Sequence, residues 1–341
     1  MVMSMRNCVY SALIVFTFIL TGLRAADKPV DLKLATIAPR DSSYHKSLQL
    51  MDQQWRKLSG GAVRLTIFPG GIQGGEADTV GLMQTGNLDA SLLTAVGLSE
   101  IEPAVDALQS MPMAFRSLDE VDYVGEKLRP MLEQRLLAKG YLVLFWTDSG
   151  WVRFFTKSPL LHPDDLKKLK VFAWAGDARE YDLWKSGGFS PVALETKDIP
   201  QALLSGTISA VASPPVFANF SRLDADAGHA KYMLELNWAP LVGAAVVRKK
   251  SWDRVSPSAR EELLKAAAET GKRVKTDGRA ENEKSVAAME KRGLTVQKVS
   301  PEIEAEWRTT VEKFYPQIRG TIVPADMFDE AQRLLKERRA K

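Results

Sequence analysis

Between residues 30 and 147 the apolar positions change repeatedly between a two-residue period and a helical spacing. The two-residue period is that of a half-buried strand, and a spacing of three and four residues is that of an amphipathic helix. The predicted strands are Val30–Thr36, Val63–Phe68, Leu88–Leu93 and Tyr141–Thr147, and the predicted helices are Ser42–Leu58, Glu76–Thr85 and Leu118–Lys139. Each helix is followed within two residues by glycine, which commonly ends helices. This alternation predicts an α/β layer architecture.

The alternation begins again after residue 150. The predicted strands there are Phe154–Thr156, Leu169–Ala173, Val192–Leu194 and Ile208–Ala212, and the predicted helices are Pro163–Lys167, Asp177–Ser186 and Ile199–Ser205. An apolar strand follows at Leu241–Val247, and the pattern then predicts the helices Pro257–Met289, Pro301–Tyr315 and Ala325–Arg338. The second series of strands and helices implies a second lobe.

Two lobes are also expected from the length of the chain, since 341 residues exceed what one hydrophobic core usually supports. The pattern assigns residues 27–150 and 241–257 to lobe I and residues 151–240 to lobe II. Residues 258–341 carry the long helix and the C-terminal helices. No internal repeat or long linker separates these parts, so we expect the chain to cross between the lobes on ordered elements.

The first 26 residues have the layout of a secretory signal peptide. Arg6 lies in a short polar start, Cys8–Leu20 is an apolar run, and Thr21–Ala26 ends in small residues. Cleavage is expected after Ala25 or Ala26. An uncleaved signal anchor is the alternative. No later stretch of 18 apolar residues predicts a second membrane span.

Cys8 is the single cysteine, so a processed chain contains no disulfide, no thiolate nucleophile and no cysteine metal ligand. A cysteine-free exported protein is typical of the bacterial periplasm, and we predict that location. The 46 basic and 42 acidic residues are nearly balanced. This balance gives no support for nucleic-acid binding.

The sequence offers little to an enzyme. Its three histidines, His45, His162 and His229, lie in no catalytic motif, and no spacing of acids or histidines fits a metal site. Phe68–Gly75 is rich in glycine but lacks the Lys-Ser/Thr of a phosphate-binding loop. We therefore predict no catalytic residue, no metal and no cofactor.

One arginine stands among aromatic residues in Trp151–Phe155. A guanidinium with little water around it needs a carboxylate or phosphate, which it can bind through two parallel hydrogen bonds. Arg153 is therefore a candidate anion contact. The alternative is a strand arginine that reaches the surface or pairs with a structural carboxylate.

Several short motifs, in order, resemble those of one family. They are the Pro-Gly-Gly loop at Phe68–Glu76, the Gln-x-Gly-x-x-Asp helix exit at Gln84–Asp89, the Pro-x-x-Phe turn at Met111–Phe115, the segments Arg153–Phe172 and Val192–Gly206, Lys231-Tyr232, and the Trp252 and Ser256 helix start. Over roughly residues 30–315 the chain resembles the periplasmic solute-binding subunit of TRAP transporters, of the DctP type.

The resemblance implies a two-lobed α/β periplasmic binding protein fold that closes around a small organic acid, with a long C-terminal helix bracing both lobes. It also implies delivery of this small organic anion to a membrane partner made of a small and a large TRAP subunit. Two other classes stay open. The same fold can serve as a ligand sensor for a receptor kinase or chemoreceptor, and an enzyme on this scaffold is the least favoured alternative.

The chain departs from the family pattern at its anion clamp. Phe172 stands where the family usually has its main arginine, and Ile208–Pro214 lacks the family's acids, which makes a metal–ligand complex improbable. One hypothesis is that Arg153 is the sole anion contact while Phe172, Trp174 and Trp151 shape an apolar pocket for an aromatic or otherwise bulky acid. The other is that the ligand is neutral or zwitterionic and Arg153 is structural. The alternative for each of these rings is that it packs in the hydrophobic core.

The remaining pocket candidates rest on their positions in the family pattern. They lie after the first strand, at the start of a helix facing the cleft, and at or just beyond the end of a lobe II strand: Thr36, Ser43, Glu76, Ser213, Phe217 and Asn219. Each has an alternative role as a helix cap or turn residue.

Overall fold

A computed structural model describes residues 29–225 and 229–341 of the chain. The predicted signal peptide, with Cys8, lies outside the described residues. Within the described ranges, no helix is both long enough and apolar enough to cross a membrane.

The described residues form one nine-stranded mixed sheet in which non-consecutive strands are neighbours. The strands are β1 Val30–Thr36, β2 Val63–Phe68, β3 Ala90–Thr94, β4 Tyr141–Thr156, β5 Lys170–Trp174, β6 Ser190–Leu194, β7 Ala210–Ser213, β8 Tyr232–Arg248 and β9 Thr295–Gln297. Their order is β2-β1-β3-β8-β4-β7-β5-β6, and β9 pairs with β8. Parallel pairs lie at both ends of the sheet, and antiparallel pairs join β3, β8, β4 and β7 in its middle.

Helices cover both faces of this sheet. They are α1 Ser43–Leu58, α2 Glu76–Thr85, α3 Ala95–Ser99, α4 Leu118–Ala138, α5 Pro163–Lys167, α6 Ala178–Ser186, α7 Ile199–Ser205, α8 Pro215–Phe220, α9 Lys249–Trp252, α10 Pro257–Glu290, α11 Pro301–Glu312, α12 Tyr315–Thr321 and α13 Ala325–Arg339. Short 3₁₀ turns occupy Pro103–Leu108 and Thr196–Asp198. The helix predicted over Pro301–Tyr315 ends early, because Pro316 cannot continue the hydrogen bonding of α11 and begins a new helix instead.

Two long antiparallel strands, β4 and β8, run through both halves of the sheet. The sequence predicted β4 as two strands, Tyr141–Thr147 and Phe154–Thr156, because the apolar pattern breaks between them. The break is a set of β-bulges, with register shifts at Asp148/Trp151 and again beyond Val152. Trp151 pairs with Pro240, so the two predicted crossings between lobes lie side by side in the sheet. The residue bounds of the two lobes stay a prediction.

Each half of the sheet is buried on both faces. Clusters of buried apolar side chains flank β1 and β3 at one end of the sheet. At the other end, one cluster, here the Trp238 cluster, includes Phe154, Leu166, Trp184, Trp238 and Trp307. The opposite cluster, here the Phe172 cluster, includes Phe155, Phe172, Leu203, Val211 and Met289. Parallel strands covered on both faces are expected to be apolar throughout, which explains the short apolar runs.

The long helix α10 holds β4 at its bulge. Arg279 of α10 donates to both carboxylate oxygens of Asp148, each at 2.7 Å, and also to Asp122 of α4. Asn282, one turn further on, donates to the carbonyl of Ser149 and accepts from the backbone N–H of Val216 at the start of α8. Helix α10 therefore contacts strand β4, helix α4 at one end of the sheet and helix α8 at the other.

A single methyl group at Gly150 tests this contact. Gly150 has φ of 71°, and a Cβ there would lie 2.8 Å from Asn282 Nδ2. Gly140 has φ of 88° but no atom within 4 Å of such a Cβ, so Gly140→Ala is a matched control for backbone strain alone. We expect Gly140→Ala to cost about 1–2 kcal/mol of unfolding free energy. Gly150→Ala should cost at least about 1 kcal/mol more, because it also displaces a buried hydrogen bond.

Urea denaturation of both variants measures the difference. Equal losses of unfolding free energy in the two variants would show that the contact between α10 and the bulge contributes little.

Candidate ligand-binding site

A cavity of about 650 Å³ lies where the parallel strands of both halves of the sheet end. Its wall includes Thr36 at the end of β1, Thr94 at the end of β3, Trp174 at the end of β5 and Ser213 at the end of β7. In open α/β sheets, ligands bind outside the carboxyl ends of the strands, where the connections diverge. The sheet topology therefore places this cavity where a ligand site is expected.

The crossing strands form the back of the cavity. Ser149 of β4 accepts a hydrogen bond from the Tyr44 hydroxyl of α1 at 2.7 Å, and both residues line the cavity. The tyrosine approaches α10 closely, since a Cβ at Gly278 would lie 2.5 Å from the Tyr44 hydroxyl oxygen. The bulge held by α10 is therefore also part of the cavity wall.

Seven of the predicted site residues line the cavity: Thr36, Ser43, Phe172, Trp174, Ser213, Phe217 and Asn219. Three of them are already held by protein contacts. Thr36 Oγ1 accepts from the Ala38 N–H at 3.1 Å, Ser43 donates to Glu281 Oε2 at 2.7 Å, and Asn219 Oδ1 accepts from Arg292 at 2.6 Å. Whether any of the seven binds a ligand stays a prediction.

Arg153 does not line the cavity. It pairs in register with Ser213, but its guanidinium Nη1 lies 3.9 Å from Glu235 Oε1, and its side chain is 12% exposed. Its Nε is buried and has no hydrogen-bond partner among the described residues. This placement favours the alternative in which Arg153 belongs to the fold. The proposed anion contact receives no geometric support.

Trp151 also lies outside the cavity wall. Its ring is partly buried and packs against the apolar cluster that flanks β3 and α4. Alternation along β4 explains this, because the neighbouring Val152 is the residue of this pair that lines the cavity. The aromatic residues of Trp151–Phe155 therefore lie on both faces of one strand.

Glu76 likewise lies outside the cavity wall and instead connects α2 to the end of β3 and to α3. Its carboxylate accepts from the Thr94 N–H at 2.7 Å, from the Thr94 hydroxyl at 2.5 Å and from the Gly97 N–H at 3.1 Å. Burial raises the pKa of Glu76 to about 7, and these hydrogen bonds oppose that rise. Because Thr94 lines the cavity, Glu76 positions a wall residue.

The cavity wall is mainly apolar, includes aromatic rings and carries charges of both signs. Its rings belong to Tyr44, Phe172, Trp174, Trp184, Phe217, Phe220 and Trp238, and its charged side chains to Asp41, Lys46, Asp148, Glu180, Glu281 and Lys284. Asp148 is neutralised by Arg279 from behind the wall. No arginine is among the lining residues of the described chain. Lys46 and Lys284, both exposed, are the cations there.

Glu180 of α6 is a partly buried acid that the sequence did not reveal. Its Oε1 accepts from the indole N–H of Trp184 at 3.2 Å. Burial raises the pKa of Glu180 to about 7, and the neighbouring Asp177 adds to the rise. The acid and the indole are one helical turn apart. Their spacing within Asp177–Ser186 is the sequence signal that could have indicated this pair.

A smaller annexe of about 60 Å³ adjoins the cavity behind α6. Glu180, Trp184 and Trp238 line both spaces. Trp184 and Trp238 are stacked, with ring centroids 5.7 Å apart and planes inclined by 27°. Glu180 therefore stands at an aromatic end of the cavity.

Contacts between the two halves of the sheet close the rim beside α6. Arg179 donates to Ser99 Oγ at 3.2 Å and to the buried Asp106 at 3.3 Å. Burial raises the pKa of Asp106 well above its usual value, and Arg179 opposes that rise. In a separate contact, a Cβ at Gly75 would overlap the carboxylate of Glu195, so these two segments are in close contact.

The described residues contain no group of three or more histidine, cysteine, aspartate or glutamate side chains placed to hold a metal ion. The groups that the described residues offer a ligand in the cavity are therefore aromatic rings, hydroxyls, two lysines and carboxylates.

The model of the family DctP, described as "Bacterial extracellular solute-binding protein, family 7", matches residues 34–320. The chain belongs to the DctP family. The resemblance seen in the motifs is confirmed, although Arg153, one of its residues, does not line the cavity.

Among curated DctP-type relatives, the C4-dicarboxylate-binding periplasmic protein DctP of Rhodobacter capsulatus is 24% identical over 303 residues, or 87% of this chain and 89% of that protein. A TRAP periplasmic solute-binding protein from Ralstonia eutropha, solved with bound (S)-2-acetolactate, has a TM-score of 0.83 at 17% identity. One from Sulfurospirillum deleyianum, solved with bound succinate, has a TM-score of 0.81 at 18% identity. In both, 90% of this chain and 99% of the other are covered. The predicted two-lobed fold with a long C-terminal helix is confirmed.

Removing the Glu76 carboxylate tests its positioning role. Glu76→Ala leaves the N–H groups of Thr94 and Gly97 buried without an acceptor, and we expect a loss of about 2–4 kcal/mol of unfolding free energy. Glu100→Ala, at an exposed position just after α3, should change it by less than about 0.5 kcal/mol. Chemical denaturation compares the two. A Glu76→Ala variant as stable as Glu100→Ala would contradict the role.

Proposed function

We propose that this protein binds a small organic acid, aromatic or otherwise bulky, in the periplasm and delivers it to the membrane subunits of a TRAP-type transporter. The observation that supports this most directly is the cavity of about 650 Å³ between the two lobes of a DctP-family fold. Its volume and its largely apolar wall with several aromatic rings are those of small-molecule sites.

The ligands of similar proteins support an acid. The Rhodobacter capsulatus relative is named for C4-dicarboxylates, and the two solved structures hold acetolactate and succinate. The wall of the present cavity is richer in rings than a small aliphatic acid needs. A ligand with an apolar body fills such a wall better, because apolar area removed from water contributes about 25 cal/mol per Å².

Lys284 and Lys46 provide the positive charge that an acid requires. Both line the cavity and neither forms an ion pair with a described residue. Lys284 lies on α10 one turn beyond Glu281, and Lys46 lies on α1. An exposed lysine at a cavity mouth attracts anions and can contact a carboxylate without a fixed fork geometry.

The two-lobed fold supports delivery of the ligand through opening and closing of the cavity. Strands β4 and β8 cross between the lobes, and a bend at their paired bulges would open or close the cavity. Closure excludes water, which strengthens a lysine–carboxylate contact that is weak in open solvent. The membrane subunits would recognise the closed form of the protein.

A thermal-shift screen of organic acids tests the binding proposal. An acid present at ~100 times its dissociation constant should stabilise the protein by about 2.7 kcal/mol. Mass spectrometry of any small molecule that accompanies the purified protein provides an independent check. Stabilisation by neutral compounds alone would contradict the proposal, and chemical turnover of a bound acid would indicate an enzyme instead.

The source of the positive charge can be tested with three variants. We expect Lys284→Ala to weaken binding of a stabilising acid by roughly tenfold, as for loss of a charge-assisted contact. Lys272→Ala removes the same charge from α10 outside the cavity and should leave affinity unchanged, as should Arg153→Ala. Isothermal titration calorimetry measures all three. A large loss confined to Arg153→Ala would restore the arginine as the anion contact.

A further inference from the structure

Acidic and basic side chains line the cavity, and two of them, Glu180 and Lys284, belong to different helices. Glu180 belongs to α6, whose Trp184 is in the Trp238 cluster, while Lys284 belongs to α10, whose Met289 is in the Phe172 cluster. These clusters lie on opposite faces of the sheet. The lysine and the glutamate therefore reach the cavity from opposite sides.

The carboxyl group of Glu180 has an oxygen available to a ligand. Oε1 accepts from the Trp184 indole at 3.2 Å, and Oε2 accepts no hydrogen bond from the described residues. The adjacent Arg179 directs its guanidinium to Asp106 and Ser99. A carboxyl group among indoles with an unused oxygen favours a hydrogen-bond donor as its partner.

We propose that Glu180 binds a hydrogen-bond donor, an ammonium or a hydroxyl group, carried by the ligand at the end remote from its carboxylate. This inference rests on the proposed function and deepens it. The ligand class is then a monocarboxylic acid with an apolar or aromatic body and a distal donor. A second carboxylate would meet Glu180 with like charge, which sets this cavity apart from one made for dicarboxylates.

The rings around Glu180 fit such a group. Trp184 and Trp238 are stacked beside it, and Trp174 lines the same cavity. An ammonium group near indole faces gains cation–π attraction in addition to its charge-assisted hydrogen bond. Burial raises the pKa of Glu180 to about 7, so a cationic partner would also favour its ionised form.

The test uses four acids that differ only at the far end of one skeleton. They are phenylpropanoate and its para-hydroxy, para-aminomethyl and para-carboxy derivatives, titrated by calorimetry at about pH 8, above the pKa of Glu180 of about 7. The para-aminomethyl or the para-hydroxy acid should bind at least roughly tenfold more tightly than phenylpropanoate. The better of the two identifies the donor as ammonium or hydroxyl. The para-carboxy acid should bind most weakly.

Glu180→Gln then tests the residue. It keeps the size and an acceptor oxygen but removes the charge, so an ammonium advantage should fall below about threefold and the para-carboxy acid should gain affinity. A hydroxyl advantage should persist in Glu180→Gln and disappear in Glu180→Ala. Glu283→Gln, at an exposed position on α10 outside the cavity, is the control and should change none of the four affinities.

Three results would overturn the inference: tightest binding of the para-carboxy acid, equal binding of all four acids, or a donor advantage unchanged in both Glu180 variants. Binding of other organic acids but none of these four would also count against it. Each of these results leaves the proposed function standing. If no organic acid of any kind binds, the proposed function itself fails.

Discussion

The contact between helix α10 and the bulge of strand β4 is the constraint on which the cavity depends. Asp148 is only 2% exposed, and a buried carboxylate without a partner is costly, so the two hydrogen bonds from Arg279 are needed where they are. Asn282 fixes the next carbonyl and the start of α8. The strand therefore changes register where α10 holds it, and that place is also part of the back wall of the cavity.

The candidate binding site has no arginine among the lining residues of the described chain. The arginines near the cavity serve the protein itself: Arg279 neutralises Asp148, and Arg179 joins the two halves at the rim. The charges left for a ligand include those of Lys284 on one side and Glu180 on the other, and Asp41, Lys46 and Glu281 also line the cavity. Aromatic rings lie between and around them. Such a wall suits an elongated acid with different groups at its two ends.

Periodicity predicted the layers of the fold because strands and helices buried against one sheet keep their periods. The family pattern named Thr36 and Ser213, and both lie at the cavity wall because the ends of parallel strands converge there. Arg153 does not line the cavity, since a bulge decides which way a side chain points and local sequence does not fix a bulge. Glu180 and Lys284 were missed because each lies on a helix whose facing surface depends on long-range packing.

A structure with a bound acid tests the central claim most directly. Crystals grown with an acid that stabilises the protein would show where the carboxylate lies. We predict a carboxylate oxygen within ion-pair distance of Lys284 Nζ, with the Arg153 guanidinium still beside Glu235. A carboxylate bound directly by Arg153, with Lys284 turned to solvent, would contradict the claim.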